Sequence, residues 1–305
     1  MITKLDLYKV FIEVVKCESF SKAAKELYMT QPAVSQAIKH LEKDLHIRLF
    51  TRTAKGATLT NDGQVLYEYV SSAINLINVG EKKLMESMEL KVGELKIGVG
   101  DTISKYYLLP YLEKFHTQYP NIKLKIMNRT TMELINMTKS GDVDLAICNL
   151  PIKDPAIQVK KIIDIHDIFI CGDKFKDITR EAISFETLLE LPLIFLEPKS
   201  NSRYYVERYL LGRGIKIKPE IELGSHDLLL EFAKINFGIA CVVKEFSEDY
   251  LDSGVIHEVT LTEKIPKRGI GACFLKSVSL SSASRKFISI LEEGCLLYTS
   301  DAADE

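Results

Sequence analysis

No stretch of this chain approaches the roughly 18 consecutive apolar residues that a bilayer-spanning helix needs, and the opening MITKLDLYKV lacks the charged-then-apolar layout of a secretion signal. The cytoplasm is the compartment to expect. Six cysteines at 17, 148, 171, 241, 273 and 295 form no C-x-x-C pair. Neither a zinc knuckle nor a dithiol redox motif follows, and the thiols read as reduced and buried. The histidines, at 40, 46, 116, 166, 226 and 257, show no HExxH or other metal-ligand spacing. There is no G-x-S-x-G elbow and no Walker loop. Gly98-Val99-Gly100 follows a strand pattern but lacks the third glycine of a dinucleotide fingerprint, so it reads as a tight turn. No enzyme class, metal or cofactor is left with residues to support it.

What is present is a chain of 305 residues, 46% hydrophobic and 27% charged, which can bury one large or two ordinary cores. Its net charge of −2 is unevenly spread. Residues 1–60 carry ten Lys and Arg against six Asp and Glu, a surplus of +4 that leaves −6 for the rest. A basic head on an acidic body suits a polyanion-binding module joined to a different domain.

Within the head, Val10, Phe11, Val14 and Val15 recur at helical spacing. Ser21 is placed to cap a second helix, SKAAKELYM, whose Ala23, Ala24 and Leu27 allow a crossing helix close approach. Thr30 offers the next N-cap, Pro32 falls in a first turn, and Val34, Ile38, Leu41 and Leu45 mark a third helix. Two helices joined by so short a turn make a helix-turn-helix. The outer face of the third carries Pro32, Gln36, Lys39 and Lys43, flanked by Ser35 and His40. Such side chains pair with base edges and phosphates in a major groove. Next, in RLFTRTAKGATLTNDG, Arg48, Arg52 and Lys55 surround a Gly56 turn between β-compatible pieces, the layout of a phosphate-gripping wing.

The run SFSKAAKELYMTQPAVSQAIKHLEKDLHIRLFTRTAKGATLTNDG resembles the DNA-binding pattern of the LysR-type transcriptional regulators almost position by position, and a looser resemblance continues to about Glu293. It implies DNA contacts from Ser21, Thr30, Gln31, Pro32, Ser35, Gln36 and Lys39, with Arg52 and Lys55 on the wing. Lys55 departs from the family's usual Arg, which removes a bidentate fork from the wing.

From Thr60 to about Glu89 a helical stretch places Leu66, Val70, Ala73, Ile77, Gly80 and Leu84 at alternating spacings of four and three, a coiled-coil seam. A second subunit is the expected partner, docking on the chain's own head the alternative. The resemblance favours a linker helix that pairs a homodimer, and implies a homotetramer.

Beyond Val92-Gly93 the pattern becomes short aliphatic strands separated by helices: LKIGV, IKLKIM and VDLAIC, then IFIC, LIFL, IKIKPEIEL, GIACVV and IGACFL. This order predicts an α/β body of mostly parallel sheets in two lobes around a cleft, crossed near residues 163–168 and 261–268. The resemblance implies the same periplasmic-binding-protein-like (type 2) effector domain. The expected boundaries are a winged helix-turn-helix over 1–60, a linker helix over 61–90 and an effector domain over 91–294. Lobe I takes about 91–163 and 267–294, and lobe II about 164–266.

Ligands of parallel sheets bind beyond the carboxyl ends of strands. The residues there are Asp101, Thr102, Ser104, Thr130, Thr131, Asn149, Ser200, Asn201, Ser202 and Ser225. Their hydroxyls and helix-start N–H groups suit a carboxylate or other small anion, with Lys199 or Arg203 adding charge, while Asp101 suits an amine. The resemblance points to Thr102, Thr131, Ser202 and Ser225. The expected partners are promoter DNA, a small-molecule effector, a second copy of the chain and, for an activator, RNA polymerase.

Two other readings stay open. The body could be a solute-binding or catalytic domain with an incidental helical head, or Cys148 and Cys171 could form a redox switch. Finally, CLLYTSDAADE from Cys295 does not continue the amphipathic pattern before it and looks like a translated sequencing adapter, so residues 295–305 are expected to be disordered.

Overall fold

The computed structural model describes residues 5–53, 56–86 and 93–301. It divides into two compact units, one comprising the chain to Glu89 together with Lys139–Asp142, the other Leu90–Thr138 and the chain from Val143 onward.

The first unit packs α1 (Leu5–Cys17), α2 (Phe20–Glu26) and α3 (Gln31–Leu45) around one core. Phe11, Val14, Ala23, Val34 and Leu41 are fully buried, and each large aliphatic among them contributes about 1.5–3 kcal/mol. The cap of α2 is Ser19, whose Oγ accepts the Lys22 N–H at 3.4 Å, so Ser21 lies inside the helix rather than capping it. Ser19 has the extended backbone a cap requires, φ −156° and ψ 125°, and the helix already starts at Phe20, which packs edge-on to Phe50. Thr30 caps α3 by accepting the Ala33 N–H at 3.4 Å.

Strands β1 (Phe50–Thr53) and β2 (Gly56–Leu59) pair antiparallel, Phe50 opposite Leu59 and Thr53 opposite Gly56. Helix α4 (Asn61–Glu86) follows. Its Leu66, Tyr67, Val70 and Ile74 pack on the head's own core, whereas Val65, Tyr69, Leu76 and Ile77 are exposed. The expected seam is therefore rotated. Leu66 and Val70 belong to the head, while Ala73, Ile77 and Gly80 are exposed. The side chain of Leu84 lies outside the described residues.

The second unit contains two five-stranded sheets. The first orders β4 (Ile122–Asn128), β3 (Gly93–Val99), β5 (Leu145–Asn149), β12 (Arg268–Leu275) and β6 (Ile157–Ile165). The second orders β11 (His257–Val259), β7 (Asp167–Cys171), β10 (Ile239–Val243), β8 (Leu193–Leu196) and β9 (Ile221–Leu223). Each sheet has one reversed strand, β12 in the first and β7 in the second, antiparallel to both its neighbours. Those are the strands on which the chain arrives from the other lobe: β6 ends at Ile165 and β7 starts at Asp167, and β11 ends at Val259 before β12 starts at Arg268.

Both faces of each sheet are covered, which explains the continuous apolar runs. On β5, Leu145 and Ile147 join one cluster with Phe115 and Phe287, while Ala146 and Cys148 face another with Leu134 and Cys273. On β10, Ile239 and Cys241 lie opposite Ala240 and Val242. The helices of the first lobe are α5 (Asp101–Ile103), continued through a wide turn at Ser104–Leu108 into α6 (Leu109–Gln118), α7 (Thr131–Ser140) and α12 (Ser282–Asp301). Those of the second are α8 (Phe185–Leu189), α9 (Asn201–Leu211), α10 (His226–Lys234) and α11 (Glu248–Asp252).

Three expectations change here. Gly98 lies inside β3 and not in a turn: a Cβ there would come within 2.6 Å of Leu134 Cδ2, so the glycine lets α7 approach the sheet. IKIKPEIEL yields only the strand Ile221–Leu223, because Pro219 has no N–H to pair. The backbone of α12 stays helical to Asp301, since nothing after Gly294 breaks a helix; side chains beyond Gly294 and residues 302–305 lie outside the described set.

Candidate DNA-binding surface and effector cleft

On α3, Gln31, Pro32, Gln36 and Lys39 are exposed and Ser35 half-buried, spread over about 140° of helix surface outside the arc of Val34, Ile38 and Leu41. Gln31 Nε2 donates to Ser35 Oγ at 3.1 Å. Thr30 sits exposed at the leading end and Ser21 is exposed on the first turn of α2. Arg52 is on β1, though its side chain, like the whole of Lys55, lies outside the described residues.

A contact that the sequence reading missed ties this helix to the wing. The N–H groups of Leu49 and Phe50 donate to Glu42 Oε1 at 2.7 and 3.2 Å, so one carboxylate on α3 sets the start of β1. Thr60 closes the other side, its Oγ1 donating to the Arg48 carbonyl at 2.7 Å. His46, with φ of 56°, makes the turn between them in a left-handed conformation that terminates α3.

In the second unit a cavity of about 1100 Å³ lies where the parallel strands of both lobes end. Asp101, Thr102, Thr131, Asn149, Ser200 and Ser202 are in its wall. Ser104 and Ser225 are not. Ser104 opens the wide turn after α5 and its Oγ is buried without a partner among the described residues. Ser225 occupies the N-cap of α10 beside the wall residues Gly224 and His226. Arg203 is in the wall yet spent: it donates to Glu207 at 2.6 Å, to Glu222 at 2.7 Å and to the Leu196 carbonyl at 2.9 Å. Thr130 is engaged with Glu133, donating through both its hydroxyl and its N–H, which hold that carboxyl below its ordinary range.

Behind the wall residues Asn149, Asp167 and Ser202 lies one that periodicity could not reveal. Arg268, its side chain 1% exposed, donates through Nε and Nη2 to the two oxygens of Asp167 at 2.6 and 2.8 Å. It also donates from Nη2 to Ser202 Oγ at 2.9 Å and from Nη1 to Asn149 Oδ1. Both lobes meet on this one guanidinium. A second bond set joins the lobes: Lys105 Nζ donates to Asp227 Oδ1 at 2.8 Å and the Tyr106 hydroxyl donates to the same oxygen. Burial and that carboxylate both raise the Tyr106 pKa. His226 lies between the two clasps. Burial pushes its imidazole down to about 4, and Nε2 accepts the Val243 N–H at 3.3 Å, which places the ring proton on Nδ1.

The proposed Cys148–Cys171 pair is not brought together. Cys148 packs in the first lobe and Cys171 in the second, each in a separate core. Both thiols are also held protonated: the Cys273 thiol and burial raise Cys148, and burial pushes Cys171 up to about 11.

A winged helix-turn-helix followed by a two-lobed α/β domain with a cleft at its strand ends defines a ligand-responsive DNA-binding regulator. Residues 5–64 match the bacterial regulatory helix-turn-helix protein model of the lysR family, and residues 89–296 match the LysR substrate binding domain. The chain belongs to the LysR family of transcriptional regulators. Among its relatives, the "Probable RuBisCO transcriptional regulator" of Guillardia theta is 27% identical over 290 residues, covering 93% of both chains. The transcriptional regulator CysL of Bacillus subtilis is 26% identical over 252 residues, covering 83% of each. Of solved structures, a full-length OxyR variant from Pseudomonas aeruginosa superposes with a TM-score of 0.76 at 18% identity, covering 97% of this chain and 95% of that one. That likeness is one of fold.

Proposed function

We propose that this regulator binds duplex promoter DNA through α3 and the wing, and that a small molecule in the 1100 Å³ cleft changes how it does so. The observation that carries the reading is the face of α3, where Gln31, Pro32, Ser35, Gln36 and Lys39 share one side of a helix whose other side is core. Gln36 reads an adenine edge. Thr30, Ser35 and Lys39, with Ser21, Arg52 and Lys55, hold phosphates and set register.

The exposed stripe Val65, Tyr69 and Leu76 on α4 repeats at intervals of four and seven and is the surface on which a second copy pairs. Two heads on two half-sites then gain affinity by effective concentration. An effector shifts the balance between lobe arrangements only by its differential affinity for them, and the linker helices carry that shift to the spacing of the heads.

The test is binding of the full chain to the genomic duplexes it occupies in cells, followed across salt. The expected result is a linear fall of log affinity with log salt, with a footprint that lengthens or shortens on adding a compound that binds the cleft. Salt-independent binding, or a footprint unchanged by every such compound, refutes the reading.

A further inference from the structure

The wall of the cleft does not declare the charge of its ligand. Arg129, Lys153 and Lys199 share the wall with Asp101, Asp154 and Glu197, while Glu133, Asp167 and Arg203 are each held by partners described above. The sign is set further in, by what Arg268 does to its neighbours.

A guanidinium has donors and no acceptor. Asn149 must therefore turn its oxygen toward Arg268 Nη1, which leaves the Nδ2 amino group as what it offers elsewhere. Ser202 accepts from Nη2 at 2.9 Å, so its hydroxyl hydrogen points away from the guanidinium. Neither Asn149 Nδ2 nor the Ser202 O–H is a buried group lacking a partner among the described residues, and both residues line the cavity. One lies at the end of β5 in the first lobe and the other in the first turn of α9 in the second. At that turn the N-cap, Ser200, makes no side-chain cap bond, so the leading N–H groups of an eleven-residue helix stand beside them. Asp167 meanwhile neutralises Arg268, so the guanidinium itself is not the ligand's counter-ion.

We infer that Arg268 is a specificity-determining positioning residue: it orients Asn149 and Ser202 as paired donors, one from each lobe, and the effector is thereby required to bring an acceptor oxygen, carboxylate before carbonyl, and amines are excluded. This rests on the effector reading above and settles the sign that Asp101 left open. A ligand oxygen held by both donors bridges the lobes alongside Arg268, so the group that is recognised is also the group that favours the closed cleft.

The test is a thermal-shift and calorimetric screen of the full chain against small carboxylates, the amides of the same acids and amines of matched length, at constant ionic strength. Carboxylates are expected to supply the tightest ligands and amines none. The informative variant is Asn149→Asp, which keeps the acceptor facing Arg268 and replaces the outward donor with an acceptor at almost no change in shape. It should weaken the best carboxylate by about tenfold or more and raise amine binding. Asp167→Asn with Arg268→Gln, which leaves no buried charge, should erase the preference between acids and amides. Amines binding as well as acids, or Asn149→Asp holding carboxylate affinity within twofold, overturns the inference while leaving the effector reading intact. No ligand of any class overturns both.

Discussion

Glu42 is where the coupling of recognition helix and wing can be measured. Its Oε1 accepts the N–H groups of Leu49 and Phe50 at 2.7 and 3.2 Å, and both residues are buried. A hydrogen bond to a charged group contributes roughly 1.5–3 kcal/mol, and the second of the two is the longer, so Glu42→Ala should cost about 2–4 kcal/mol at this junction. Glu42→Gln keeps a carbonyl acceptor and should recover about half. Local free energy of this size appears as amide exchange, where each 1.4 kcal/mol is about tenfold. Leu49 and Phe50 should exchange roughly 30- to 1000-fold faster in Glu42→Ala than in the parent, with amides in α1 changing far less. Duplex affinity should fall with them, because the wing is no longer placed. Exchange of Leu49 and Phe50 within threefold of the parent would refute the claim that this carboxylate sets the wing.

Three further outcomes follow from the same geometry. Leu76→Asp puts a charge in the exposed stripe of α4 and should shift the sedimentation coefficient toward monomer while leaving helix content unchanged; an unaltered assembly would place the interface elsewhere. His226 has a folded pKa near 4, below its unfolded value, so the unfolded chain takes the proton first. Its contribution, up to about 3 kcal/mol, is fully present above pH 6.5 and is lost as pH falls toward 4, and His226→Phe should flatten that limb of an unfolding-against-pH curve. Peroxide treatment should give no Cys148–Cys171 linkage by mass spectrometry, because the two thiols sit in different lobes with raised pKa values.

Much of this molecule could be read from residue spacing. Helical periods marked α1 and α3, Thr30 and Pro32 marked a helix start, and apolar runs marked the central strands, because a sheet covered on both faces leaves no polar alternation. Eight of the ten residues read at strand ends and helix starts lie in the cavity wall, Ser104 and Ser225 being the exceptions, since strand ends and helix starts are legible in order along the chain. What failed did so for physical reasons. Strand β6 has Lys160 and Lys161 side by side and exposed in its middle, which breaks both the apolar run and the alternation that mark a strand. The seam of α4 was rotated because spacing alone does not say which side of a long helix the preceding domain claims. Arg268 and Asp167 are 101 residues apart, and only the return of the chain on two reversed strands brings them together. A charged residue beginning a strand could have drawn attention to either, but not to the pair.

The direct measurement of the central claim is the affinity of the full chain carrying Gln36→Ala and Arg52→Ala for its own promoter duplex, beside a scrambled duplex of equal length. The account predicts that the double variant loses about two orders of magnitude on the promoter and about one on the scrambled sequence, the difference being the lost base contact of Gln36, with a shallower salt slope on both from the lost phosphate contact of Arg52. Promoter affinity equal to the parent's would contradict it.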